Sequence, residues 1–339
     1  MTQRLPVTVL TGFLGSGKTT LLSQLLRRPE MKNTAVIINE FGEVGLDHEL
    51  IRTGDETVAL LESGCVCCTL RSDLADTLKE LFLKRVKGQI PEFDRVIVET
   101  TGLADPAPLL HTLIVEPMTA ARYRLEGVVT TIDAVNADAE MDVHREAVKQ
   151  AAVADRIVLT KTDIAKPEMV ERVLTRLKEI NPAAVPIVAS HGEVHPDQLF
   201  GMSLDERGDR LEAWLAADAY AGAHDHDHHD HNHHHHDGIE SFALAYAEPL
   251  DWDAIAEALD RLVSISGEKI LRVKGILDIV GNDKPVVVHG VQHLFHPPSQ
   301  LAGWPEGVTR NSRLVFITHG LKREVIQRSL DMFLDRARL

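Results

Sequence analysis

Near the start of the chain, Gly12-Phe-Leu-Gly-Ser-Gly-Lys18-Thr19 constrains the fold more than any other stretch. It matches G-x-x-x-x-G-K-[ST] and lies between a β-rich apolar run, residues 7–10, and a helical pattern over 19–26. Gly12, Gly15 and Gly17 allow the backbone to curl so that its N–H groups face an anion. The helix that follows adds the positive end of its dipole. Such a loop holds phosphates. Lys18 reaches the β- and γ-phosphates and the Thr19 hydroxyl ligates Mg²⁺. The expected nucleotide contacts here are Gly12, Leu14, Gly15, Ser16, Gly17, Lys18, Thr19 and Thr20.

The rest of the first two-thirds alternates in the way such a loop requires. Strands are expected at 35–39, 95–99, 127–132, 156–160 and 185–189, with helices such as 72–86 and 168–180 between them. This alternation predicts an α/β fold, a P-loop NTPase with a mainly parallel sheet covered by helices, over residues 1–215. Residues 216–238 contain GAHDHDHHDHNHHHHDG, too polar to bury a core, and read as a His/Asp-rich linker. A smaller α+β domain is expected over 239–339. Its strands are placed at 241–247, 270–280, 285–289, 292–295 and 313–318, and its helices at 252–263 and 322–335.

Two further elements complete the nucleotide reading. Val96-Ile-Val-Glu99 is an apolar strand ending in a carboxylate suited to reach Mg²⁺. Glu99-Thr-Thr-Gly102 has the acidic-x-x-Gly spacing of a switch loop, in which Gly102 offers its N–H to a γ-phosphate. Thr160-Lys161-Thr162-Asp163 fits [NT]-K-x-D. An Asp there accepts from guanine N1–H and its exocyclic amine, donors that adenine lacks, while the Lys stem packs over the ring. GTP is therefore expected over ATP. The turn Ser190-His191-Gly192 is a candidate further base contact. Leu103 follows Gly102 where a Ras-type enzyme has Gln, and no arginine finger stands out, so slow intrinsic hydrolysis is expected. With Lys18, Glu40 is the catalytic candidate, placed to position water or sense the γ-phosphate; the alternative is a solvated loop carboxylate.

All three cysteines fall together, Cys65, Cys67 and Cys68, between an apolar run at 58–61 and the helix from 72. An odd cluster is no disulfide framework. Thiolates suit Zn²⁺, Cu(I) or Co²⁺, and three leave one tetrahedral position open. In an extended turn Cys65 and Cys67 share a side and Cys68 points elsewhere. The alternatives are buried small hydrophobes, or a reactive thiol or vicinal disulfide. The linker imidazoles, His224, His226, His228, His229, His231, His233, His234, His235 and His236, form an accessory metal-gathering tract or a solvated spacer.

The formal charge of −15 argues against a nucleic-acid partner. No apolar run approaches the roughly 20 residues of a membrane span. The stretch 5–14, broken by Pro6 and Gly12, does not read as a signal peptide, so a cytoplasmic location is expected.

The phosphate loop, Asn39-Glu-Phe-Gly-Glu43, Gly64-Cys-Val-Cys-Cys68, Glu99-Thr-Thr-Gly-Leu-Ala-Asp105 and Thr160-Lys-Thr-Asp163 occur in this order. With the C-terminal domain they resemble the CobW/YjiA family of GTPases, the zinc-chaperone group, over nearly the whole chain. The resemblance implies a SIMIBI-class GTPase with a CobW C-terminal domain. It implies a metal, usually Zn²⁺ with Co²⁺ as the other candidate, held by Cys65, Cys67 and Cys68. That metal passes to a client metalloprotein in a step coupled to GTP hydrolysis to GDP and phosphate. It also implies Glu43 as an auxiliary ligand and a nucleotide-dependent homodimer. Some relatives carry a Glu just before the Asn-Glu-Phe-Gly-Glu stretch, contributing to a further metal site. Ile38 stands there in this chain, so that site is not carried over. A passive metal buffer built on the His tract is the competing reading.

Overall fold

The computed structural model describes residues 4–38, 50–52, 58–61, 66–69, 74–202, 215, 220, 238–304 and 309–337, with only main-chain pairing described for the strands within 50–69. Two compact units form. One comprises Met1–Thr175 with Ala184–Ser203, the other Arg176–Ala183 with Leu204–Leu339. Among the described residues no helix is long and apolar enough to cross a membrane.

In chain order the first part contains β1 (Leu5–Gly12), α1 (Lys18–Leu26), β2 (Thr34–Ile38), β3 (Leu50–Arg52), β4 (Val58–Leu61), β5 (Val66–Thr69) and α2 (Leu74–Val86). It continues through β6 (Arg95–Glu99), α3 (Ala107–Val115), α4 (Pro117–Arg122), β7 (Tyr123–Asp133), α5 (Ala137–Val143) and α6 (Arg145–Val153). Then come β8 (Arg156–Thr160), α7 (Pro167–Ile180), β9 (Pro186–Val188) and α8 (Pro196–Leu199). The strands form one sheet in the order β3-β4-β5-β2-β6-β1-β7-β8-β9. From β5 to β9 every neighbouring pair is parallel, while β3-β4 and β4-β5 are antiparallel.

The parallel strands are apolar almost throughout because helices shield both faces of such a sheet. Leu10, Val36, Ile38, Ile97, Val129 and Val158 pack with Leu21, Leu22 and Leu25 of α1 in one buried cluster. The expected α/β architecture is therefore the one found. Two elements differ from their sequence outline. β7 begins at Tyr123, earlier than the expected start at 127, because Leu5 of β1 pairs with Tyr123 and Thr8 donates to Glu126 across the strands. The polar residues Arg124 and Glu126 hide that extension from a hydrophobicity pattern. The second difference concerns the cysteines. Cys67 and Cys68 lie in a strand, β5, rather than in a turn, because β2 and β4 supply ladders on both of its sides.

The second part contains β10 (Ile239–Tyr246), α9 (Trp252–Ser266), β11 (Ile270–Leu277), β12 (Val286–Val291), β13 (Leu294–Phe295), β14 (Ser299–Gln300), β15 (Ser312–His319) and α10 (Arg323–Ala337). Its antiparallel sheet runs β10-β15-β11-β12-β13, with β14 on β12. Phe242 and Phe316 face each other across β10 and β15 with ring centroids 5.6 Å apart, in a core completed by Ile255, Leu259 and Leu330. The strand expected at 270–280 stops at Leu277 because Asp278 leaves the ladder to meet Arg310.

Candidate nucleotide and metal sites

Ligands of open α/β sheets bind beyond the carboxyl ends of the strands. The register shows which residues reach that edge together. Leu10 lies beside Glu99, and Gly12 beside Thr131. Ile38 of β2 also lies beside Glu99, and Asp133 of β7 beside Thr160. The phosphate-loop, switch and T-K-x-D residues thus project from adjacent strand ends.

Packing fixes the phosphate loop. Gly12 has φ +145°, and a Cβ there would overlap the Thr131 hydroxyl and carbonyl. Gly15 (φ +70°) and Gly17 (φ +90°) hold left-handed conformations, with Gly17 at the N-cap of α1. The buried Ser16 and Thr131 hydroxyls share a hydrogen bond of 2.7 Å. Lys18, 5% exposed, donates to the carbonyls of Gly12 (3.0 Å) and Phe13 (3.1 Å), drawing its ammonium over the loop. Leu14 and Thr20 are exposed. The Thr19 hydroxyl donates to Glu99 Oε1 at 2.8 Å, and Glu99 is fully buried. A hydroxyl and a carboxylate meeting in this way make a hard-oxygen donor pair of the kind Mg²⁺ takes.

The segment after β6 is tied back to β1. Thr100 N–H donates to Leu10 O (2.9 Å) and its hydroxyl to that of Thr11 (2.8 Å). Gly102 is buried against the loop tip, where an added Cβ would stand 2.7 Å from the Leu14 nitrogen. Only glycine allows this approach.

On the other side the Thr160 hydroxyl, with one proton to give, lies 2.8 Å from Ser16 O and 3.2 Å from Ile132 O, locking β8 onto the phosphate loop. Lys161 holds φ 58°, and its ammonium meets Asp133 at 2.7 Å. Asp133 is 1% exposed. Burial pushes its carboxyl up, but Lys161, Val135 N–H and the Asn136 amide together outweigh that and hold it below the usual range. Asp163, two residues on, is exposed. Ser190 and His191 are exposed as well, while Gly192 (φ +80°) packs with its Cα facing Thr20 of α1.

Asp133 and Gln150 belong to none of the sequence motifs. Asp133 had one signal, an acid closing an apolar strand, the same signal that marked Glu99. Gln150 carries none, being one of four polar residues on α6.

Cys67 and Cys68 of β5 pair in register with Val36 and Ile37 of β2, which in turn pair with Ile97 and Val98 of β6. Cys65, Glu40, Glu43 and the histidines from His224 to His236 lie outside the described residues. Among the described residues no group of three or more His, Cys, Asp or Glu could hold a metal ion.

Residues 6–188 match the CobW/HypB/UreG nucleotide-binding domain, and residues 239–334 match the CobW C-terminal domain. The chain is 35% identical over 324 residues to the zinc chaperone YjiA of Escherichia coli K12, covering 95% of this chain and 96% of that protein. It is 34% identical to the zinc chaperone CobW of Pseudomonas aeruginosa, covering 96% of this chain and 91% of that one. Its fold superposes on the crystal structure of Zn(II)-bound YjiA GTPase from E. coli with a TM-score of 0.75 at 33% identity, covering 98% of this chain and 99% of the other. The motifs of the first part and the separate antiparallel unit of the second thus have one common explanation: the chain belongs to the CobW/HypB/UreG family and carries both its nucleotide-binding domain and the CobW C-terminal domain.

Proposed function

We propose that this protein is a GTP-hydrolysing metallochaperone. It binds Zn(II), with Co(II) as the alternative cargo, at Cys65, Cys67 and Cys68 and passes it to a client metalloprotein in a step coupled to GTP hydrolysis. The observation that carries the proposal is strand adjacency. The cysteine strand β5, the strand β2 that leads into residues 39–43, and the strand β6 that ends in Glu99 are consecutive in one sheet. Relatives named zinc chaperones and a relative crystallised as a Zn(II)-bound GTPase support the same reading.

In this reading each residue has a chemical part. Backbone N–H groups of Gly15, Gly17 and Lys18 cradle phosphate, and the Lys18 ammonium turns from its two carbonyls to the β- and γ-oxygens. Thr19 and Glu99 would hold Mg²⁺, which supplies charge neutralisation at the phosphates when bound. Gly102 N–H reads the γ-phosphate. Lys161, steadied by Asp133, covers one face of the guanine, and Asp163 accepts from its edge. The Ser190-His191-Gly192 turn closes over the base beside Thr20. Glu40 positions the attacking water, and Glu43 adds a ligand to the cysteines. The protein acts in the cytoplasm, pairs with a second copy when GTP is bound, and uses its His tract to gather metal.

Competitive Zn²⁺ and Co²⁺ titrations with and without Mg²⁺-GTP test the proposal. Affinity at the cysteines should change with GTP and vanish on Cys→Ala replacement, while deletion of residues 224–236 should leave tight binding in place. Equal affinities in both nucleotide states, or tight binding that disappears with the His tract and survives Cys→Ala, would leave a passive metal buffer instead.

A further inference from the structure

Helix α6 grips the segment after β6 at three points through two consecutive residues. Gln150 is fully buried, and its amide nitrogen donates to Gly102 O at 3.2 Å and to Ala104 O at 3.0 Å, using both of its protons. The main-chain carbonyl of Gln150 accepts from the Thr130 hydroxyl at 2.8 Å, which anchors that turn of α6 to β7. Lys149 meets Asp105 at 2.7 Å, both side chains being 29% exposed. Asp105 also accepts from Ala107 N–H at 3.0 Å, at the start of α3. On its opposite side the same segment lies against the phosphate loop, because Gly102 contacts Leu14. Gly102 is therefore held between the phosphate loop and a helix belonging to none of the recognised motifs, and Ala104 and Asp105 are tied to that same helix.

From this geometry we infer that Gln150 and Lys149 are positioning residues for GTP hydrolysis. They set the place of the Gly102 peptide, and so whether the segment can answer a γ-phosphate. The physical reason is directional. Two carbonyls of one short loop bonded to a single side-chain amide cannot rotate independently, and a buried carbonyl that loses its donor carries a desolvation cost. The segment therefore moves as a unit, or leaves α6 as a unit. This inference rests on the reading of Gly102 as the γ-phosphate sensor.

The test compares the full-length protein with Gln150→Met, which keeps volume and removes both donors, and with Lys149→Met and Lys149→Arg at the more exposed position. Steady-state phosphate release, GTP and GDP affinity, melting temperature and hydrogen exchange of residues 100–107 with GDP or a non-hydrolysable GTP analogue are read. Gln150→Met should lower kcat about tenfold and narrow the exchange difference between nucleotides while GDP affinity stays within about twofold. Lys149→Met should lower kcat about threefold, with Lys149→Arg restoring it. Wild-type kcat and an unaltered exchange difference in Gln150→Met and Lys149→Met would overturn the inference. So would a parallel loss of GTP affinity, GDP affinity and melting temperature, which reports packing alone. If the wild-type segment itself exchanges identically in both nucleotide states, the sensor reading fails, and the inference falls with it.

Discussion

Two strand ends, one in each unit, bury a carboxylate, and they do so differently. Glu99 closes β6 and is fully buried, accepting a hydrogen bond from the Thr19 hydroxyl of the phosphate loop. Asp278 follows β11, is 3% exposed, and accepts from the Arg310 guanidinium at 2.8 Å while its N–H donates to Ser312. Arg310 also reaches Asn282 O, so Asp278 fastens a loop to a strand end. The contrast shows how a buried acid reports its task. At Asp278 a guanidinium answers the charge within the fold, whereas Glu99 meets the Thr19 hydroxyl, the pair proposed to hold Mg²⁺. Asp133 stands between these cases, since its cation, Lys161, is itself one of the residues proposed to hold the base.

Glu99→Gln should separate the two acids most strongly. Phosphate-release assays should show kcat falling about 100-fold with the melting temperature nearly unchanged. An unaltered rate would place Glu99 with Asp278 among structural acids. Asp133→Asn should weaken GTP and GDP about equally, by roughly tenfold in fluorescent-nucleotide titrations, because both carry the guanine that Lys161 covers. A loss confined to GTP would move Asp133 to the phosphate side of the site. Its pH dependence follows from the sign of the shift. A carboxyl held below its usual range contributes stability that is present above the unfolded value, near pH 4, and is lost as pH falls through the lower folded value. The stability gap between wild type and Asp133→Asn should therefore be full at neutral pH and close only below about pH 4 in acid-denaturation curves. The smallest effect on function belongs to Asp278→Ala, which should lower the melting temperature by about 4 °C and leave GTP turnover intact.

Much of the nucleotide site was legible because its signals are local. A glycine at 12, 15 or 17 is demanded by backbone angles within a few residues, and Lys18 and Thr19 follow at fixed spacing on the same loop and helix. The partners of those residues were not legible. Asp133 and Lys161 are 28 residues apart, Gln150 and Gly102 are 48, and Ser16 and Thr131 are 115. Each pair exists only because the strand order brings distant segments to one edge. The cysteines show the same boundary. Their clustering is a fact of sequence, but that Cys67 and Cys68 sit in a strand beside β2 depends on a ladder with residues some thirty positions earlier.

The amino-acid sequence alone determined the alternating α/β plan, the phosphate loop, the T-K-x-D motif and the thiol cluster, because periodicity, backbone allowance and ligand chemistry are written in consecutive residues. Tertiary structure alone decided that Glu99 meets Thr19, that Asp133 steadies Lys161, and that α6 grips the segment from Gly102 to Asp105. The reason is that hydrogen bonds across a sheet and its covering helices follow strand order and register, and neither is encoded at any one position.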